Sequence, residues 1–198
     1  MPCPYVLDIR RRRVILRLMR VFFGIGLPPD IRKQVGDFLE TLRTRLPRMK
    51  WVEEKNLHIT LRFMGEVEET RLTAIIGAAR ETASGLEGFR MVLGSLGAFP
   101  NPRRARVFWW GLSEGAEESS NLFNRLEGCL VGQGFESEKR RYHPHITLAR
   151  LRYPSPLRLD SFTLPEGLSF TASSFTLYQS TLTPNGPIYK IVEEFKLE

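Results

Sequence analysis

The tetrapeptide His-Ile-Thr-Leu occurs twice in this chain, at 58–61 and at 145–148. Polar and apolar residues alternate within it. In a strand, histidine and threonine therefore share one face, and isoleucine and leucine share the other. The first copy lies in a longer alternating run, 57–63. There Leu57, Ile59, Leu61 and Phe63 are expected on the core face, and His58, Thr60 and Arg62 on the opposite one. The chain must then supply two strands, each burying its apolar face and opening its His-Thr face onto a common space. Only three histidines are present, and threonine is 12 of 198 residues, so the repetition is not an effect of composition.

The rest of the chain offers elements to hold two such strands. The short apolar run 21–27, bounded by Pro28, predicts a strand. Ile31, Val35, Phe38, Leu39 and Leu42 recur at helical spacing, predicting a helix from Pro29 to about Leu46 that Pro47 ends. A second helix is expected over 70–83 and a third over 117–132, with Leu122, Phe123, Leu126 and Leu130 on one face. Strands are expected at 89–96, 106–112, 145–149, 168–179 and 188–195. Turn-rich Phe99-Pro100-Asn101-Pro102 and Thr183-Pro184-Asn185-Gly186-Pro187 separate neighbouring strands. Helices and strands mix without strict alternation, which points to an α+β fold with antiparallel sheet.

Two His-x-Thr strands facing one another present two imidazoles and two hydroxyls to one point. Imidazole titrates near neutrality, so one ring can act as general base while the other acts as general acid. Hydroxyls can donate to phosphoryl oxygens. The set suits in-line displacement at phosphorus and requires no metal. A competing reading gathers His58, His143 and His145 on one zinc ion, although no carboxylate motif accompanies them. His143, outside the repeat, is read as a flanking residue that contacts ligand or is exposed. Arg62 shares the cleft face with His58 and Thr60, either touching phosphate or standing in solvent. Arg150 has the parity of Ile146 and Leu148, so it reaches the cleft only if the strand ends or bulges near Ala149. Tyr142 is either a platform for a base or an ordinary strand aromatic.

Charge narrows the partner. Residues 1–20 hold six arginines and one acid and contribute +5 of the net +7, which leaves a nearly balanced body. A long duplex-binding face would need more phosphate-neutralising charge than that, whereas a small anionic end needs a few cations at one point. Residues 1–18 are read as a basic extension, disordered or upstream of the true start at Met19, and 19–198 as one domain. Two cysteines make no disulfide framework, which fits a reducing, cytoplasmic setting. No run of 18 apolar residues is present to span a membrane. Nothing in the sequence indicates a large exposed apolar seam, so a monomer is expected.

The paired motifs resemble those of the 2H phosphoesterase superfamily. The likeness is to its LigT-like branch, the RNA 2′,3′-cyclic phosphodiesterases first described as 2′-5′ RNA ligases. It covers Met19 to the C-terminus through five blocks in order: Met19-Arg20-Val21-Phe22-Phe23 with Leu27-Pro28; Asn56 to Gly65; Phe99 to Pro102; Pro144 to Arg150; and Ser180 to Tyr189. The resemblance implies a two-lobed, pseudo-symmetric α+β fold. Its antiparallel sheets would form a central V-shaped cleft, with helices outside and one motif from each lobe. It implies hydrolysis of an RNA-terminal 2′,3′-cyclic phosphate to a 2′-phosphate, with no cofactor. His58 would be proton donor and His145 acceptor, with Thr60, Thr147 and Arg150 on the phosphate. RNA ends, tRNA among them, or small cyclic-phosphate nucleotides would be the partners. Ligation of RNA halves through a 2′-5′ linkage, or binding of RNA ends without catalysis, would use the same residues. His143 departs from the arginine-like residue expected before the proline, and the extension before Met19 is also a departure.

Overall fold

Pro28-Pro29-Asp30 pre-sets the first turn of a helix and places an acid near its positive end, so the chain coils immediately after its first strand. The computed structural model describes residues 17–46, 49–184 and 186–198; most of the basic extension lies outside them. Among the described residues nine strands and three α-helices follow in the order β1 (Leu18–Gly26), α1 (Pro29–Arg43), β2 (Met49–Trp51), β3 (His58–Glu68), α2 (Leu72–Ala83), β4 (Phe89–Phe99), β5 (Ala105–Glu114), α3 (Ala116–Gly132), β6 (Ile146–Ser155), β7 (Ser169–Ala172), β8 (Ser174–Thr183) and β9 (Gly186–Lys196). In α1 the residues expected on the apolar stripe, Ile31, Val35, Phe38, Leu39 and Leu42, are all buried. The expected 168–179 strand is two, β7 and β8. β2 is Met-Lys-Trp, too short for its alternation to announce a strand, and is an addition to the expected elements.

The strands form one curled antiparallel sheet in the order β7-β4-β5-β6-β3-β1-β8-β9, with β2 added to β6. The α+β class and antiparallel, two-lobed plan are those expected. The two lobes are halves of a single continuous sheet, and the halves meet where β3 pairs β6 at one register position, Ile59↔Ile146. Past it the strands splay. β6 there takes β2 on the freed edge, pairing Trp51↔Ala149, Lys50↔Arg150 and Met49↔Leu151. The junction isoleucines are both fully buried, each such burial being worth about 1.5–3 kcal/mol. α2 packs on α3 and against β9, and α1 lies against β2, with Phe38 against Trp110 at 5.0 Å.

Each half carries its motif on an inner strand flanked by an equivalent neighbour, and the registers coincide. Gly24↔Thr60 in β1–β3 corresponds to Trp109↔Thr147 in β5–β6. The next pairs are Phe23↔Arg62 and Phe108↔Ala149. In both, the motif leucine, Leu61 or Leu148, is an extra residue with no partner. It is a bulge at the same place in each repeat.

Candidate active site

A bulge adds one residue to the count, so side-chain parity inverts beyond it. Up to the motif leucines the alternation holds: Ile59 and Leu61 are buried while His58 and Thr60 are half-buried, and Ile146 and Leu148 are buried while Thr147 is half-buried. Beyond them Arg62 and Ala149 turn inward, and Phe63 and Arg150 turn out. Two adjoining hollows open between the halves. One is lined by His58, the other by His145, and both share Thr60, Phe63, Thr147 and Arg150.

Each imidazole is anchored in the same way. His58 Nδ1 lies 2.7 Å from the carbonyl oxygen of Asn56, and His145 Nδ1 lies 2.7 Å from that of His143. A carbonyl only accepts, so Nδ1–H donates in both and Nε2 is left as the nitrogen that exchanges protons. In the free protein the Thr60 hydroxyl donates to His58 Nε2 across 3.0 Å. The His58 ring faces Phe22 at 4.9 Å and meets Tyr189 edge-on at 5.4 Å. His145 meets Phe99 edge-on at 5.0 Å and Trp109 at 5.9 Å.

Packing beside the rings is tight at one glycine and admits no Cβ at another. A Cβ on Gly24 would come within 3.1 Å of His58 Cδ2, and one on Gly97 would overlap the Trp109 ring that flanks His145. Burial pushes both imidazoles down, His58 to about 4, and the Arg150 guanidinium adds to the effect. Both rings are therefore neutral at pH 7.

The same fold occurs in known proteins. The family model of LigT-like phosphoesterases matches residues 25–109 and 111–189. The chain belongs to that family. It is 36% identical over 184 residues to the RNA 2′,3′-cyclic phosphodiesterase of Methanothermobacter thermautotrophicus, covering 90% of this chain and 99% of the relative. It is 44% identical over 154 residues to that of Aeropyrum pernix, covering 75% and 86%. Among solved structures it resembles TT0787 of Thermus thermophilus, with a TM-score of 0.77 at 29% identity over 90% of this chain and 98% of that one. It also resembles E. coli LigT complexed with 3′-AMP, with a TM-score of 0.74 at 28% identity over 91% and 99%.

In this LigT-like phosphoesterase, His58, His145, Thr60, Thr147 and Arg150 come together, and Arg150 enters by the bulge its parity required. Arg62 does not join them, which corrects the expectation from strand parity. Its Nε lies 2.7 Å from Glu127, its Nη1 and Nη2 donate to the carbonyls of Phe63 and Glu136, and Glu138 lies 3.6 Å away. It ties β3 to α3 and to the loop leading into the second motif. Tyr142 lines the His145 hollow, but one ring face is stacked on Phe123 at 4.5 Å and its hydroxyl meets Ser119 at 2.8 Å. Burial raises that phenol's pKa. His143 lies beside Trp109 at 4.8 Å, with its ring 6.0 Å from His145. Among the described residues no three His, Cys, Asp or Glu side chains gather as a metal site.

Sequence reasoning missed Phe63, which is 43% exposed at the mouth where both hollows meet. It also missed Tyr189 and Lys50. The fifth residue after each histidine is the one that enters the cleft, a spacing visible in the sequence only once the bulge is known.

Proposed function

We propose that this chain hydrolyses RNA-terminal 2′,3′-cyclic phosphate to a 2′-phosphate, without metal, by the paired action of His58 and His145. The observation that carries the proposal is the pair of tautomer-fixed imidazoles, opening onto hollows that share two threonine hydroxyls and one arginine. The names of relatives at 32–44% identity support its cyclic-phosphodiesterase part.

Binding places the cyclic phosphate between Thr60 and Thr147, with Arg150 against its non-bridging oxygens. The Thr60 hydroxyl turns from His58 Nε2 toward phosphate, and the arriving anion favours a proton on that nitrogen. His145 Nε2 takes a proton from water as the water oxygen bonds to phosphorus. The P–O3′ bond breaks and O3′ receives the proton from His58 Nε2. The donor and acceptor roles follow the family resemblance. Burial alone opposes a charged His58, held at about 4, so the donor role rests on the bound phosphate anion to favour the protonated ring. Phe63, exposed beside the phosphate position, offers an apolar face to the terminal base.

The test is an oligoribonucleotide ending in 2′,3′-cyclic phosphate. The expected product is a 2′-phosphate, formed equally in EDTA. His58→Ala and His145→Ala each slow it by about 10²–10⁴-fold with the circular dichroism unchanged. Chelator-sensitive turnover, a 3′-phosphate product, or tight binding without hydrolysis would overturn the proposal. Two hollows meeting at one phosphate position also leave room for a second RNA end. Adding a 5′-hydroxyl oligonucleotide to the same assay reports any 2′-5′ joining.

A further inference from the structure

We infer that Lys50 is a second anion-binding residue of the cleft, and that it holds the phosphodiester one nucleotide upstream of the cyclic end. This rests on the RNA-end reading above and adds the chain length of the substrate to it. Lys50 lies on β2 directly opposite Arg150 on β6. Directly opposed residues of an antiparallel pair share a face, with Cβ atoms about 4.5–5.5 Å apart, and like charges there destabilise the pairing. Lys50 and Arg150 are both exposed, and both line the hollow that holds His58, Thr60 and Thr147. Among the described residues neither forms an ion pair with a carboxylate. The nearby acid on that rim, Glu53, is engaged by Lys55 at 2.7 Å. The arrangement is an unneutralised pair of cations at the mouth of a phosphate site, built by a strand of only three residues.

A cyclic phosphodiester carries one negative charge. Arg150 and the two threonine hydroxyls already answer it. The surplus cation springs from a backbone position about one strand spacing, roughly 5 Å, from that of Arg150, on the side where β3 and β6 have splayed. A chain entering the V brings a second phosphate there, whereas a mononucleoside 2′,3′-cyclic phosphate brings none. Lys50 would therefore discriminate oligonucleotide ends from free cyclic nucleotides.

The experiment compares kcat/KM for a mononucleoside 2′,3′-cyclic phosphate lacking a 5′-phosphate with that for a dinucleotide ending in the same group. In Lys50→Gln, which keeps much of the stem without the charge, the dinucleotide-to-mononucleotide ratio is expected to fall about tenfold. The loss should lie in KM for the dinucleotide, and Lys50→Arg should restore it. The salt dependence for an oligonucleotide should flatten by about 0.7 in log–log slope. Equal losses on both substrates would place Lys50 on the reacting phosphate and overturn the inference. An unchanged ratio with no loss on either would make it a solvated surface residue and overturn it as well. Wild-type protein that turns over neither substrate would instead overturn the phosphodiesterase reading, and this inference with it.

Discussion

At the scale of single residues, the site depends on the tautomer and charge of two imidazoles. A carbonyl two residues upstream of each histidine fixes Nδ1 as donor, which leaves Nε2 as the open nitrogen on both sides. Burial is the main cause of the low pKa of His58, held near 4 against an ordinary 6.5. Below pH 6.5 the unfolded chain takes up a proton there that the folded protein resists, so folding stability falls as pH drops from about 6.5 to about 4 and is fully retained above that window. The contribution is up to about 3 kcal/mol. His145 shifts in the same direction. Denaturant midpoints measured across that window should fall less steeply in His58→Gln than in the wild type. Parallel curves would mean that the ring is better solvated than its aromatic surroundings indicate.

At the scale of elements, the decisive feature is the bulge at each motif leucine. It turns the residue four after each histidine into the core and the residue five after it into the cleft. In the first repeat these are Arg62 and Phe63; in the second, Ala149 and Arg150. The repeats thus share a backbone device and differ in what it delivers, an aromatic on one side and a cation on the other. Arg62 becomes a structural ion-pair partner of Glu127, with both side chains largely buried at 10% and 14% exposure. Arg62→Met would strand the Glu127 carboxylate, at a cost of about 3–5 kcal/mol in chemical denaturation. Arg62→Met combined with Glu127→Leu should recover much of it. At a temperature where Arg62→Met is folded, its turnover should fall far less than that of Arg150→Ala.

At the scale of the whole molecule, the two halves of the sheet share one register position, Ile59↔Ile146. Each junction isoleucine directly follows a motif histidine, so the pairing lies between the two imidazoles. Ile146→Ala should cost about 2–5 kcal/mol as a core truncation. It should also lower kcat more than Leu130→Ala, a truncation in the equally buried face of α3. Equal effects on kcat would show that the surrounding packing, rather than the junction, holds the two motifs in place.

The sequence by itself determined the strands that bear the motifs, the helices and the pairing of His58 with Thr60 and His145 with Thr147. These follow from local periodicity and from covalent spacing along a strand, which no distant contact needs to supply. Tertiary structure alone decided what lies beyond each motif. The extra residue in β3 and β6 exists only relative to the register of β1 and β5, so no count along the chain could place Arg62 in the core or Phe63 in the cleft. β2 likewise exists because β6 has a free edge where β3 departs, and Lys50 reaches the site only through that pairing. The repeated tetrapeptide announced the two histidines of the cleft, and the register between neighbouring strands chose the company they keep.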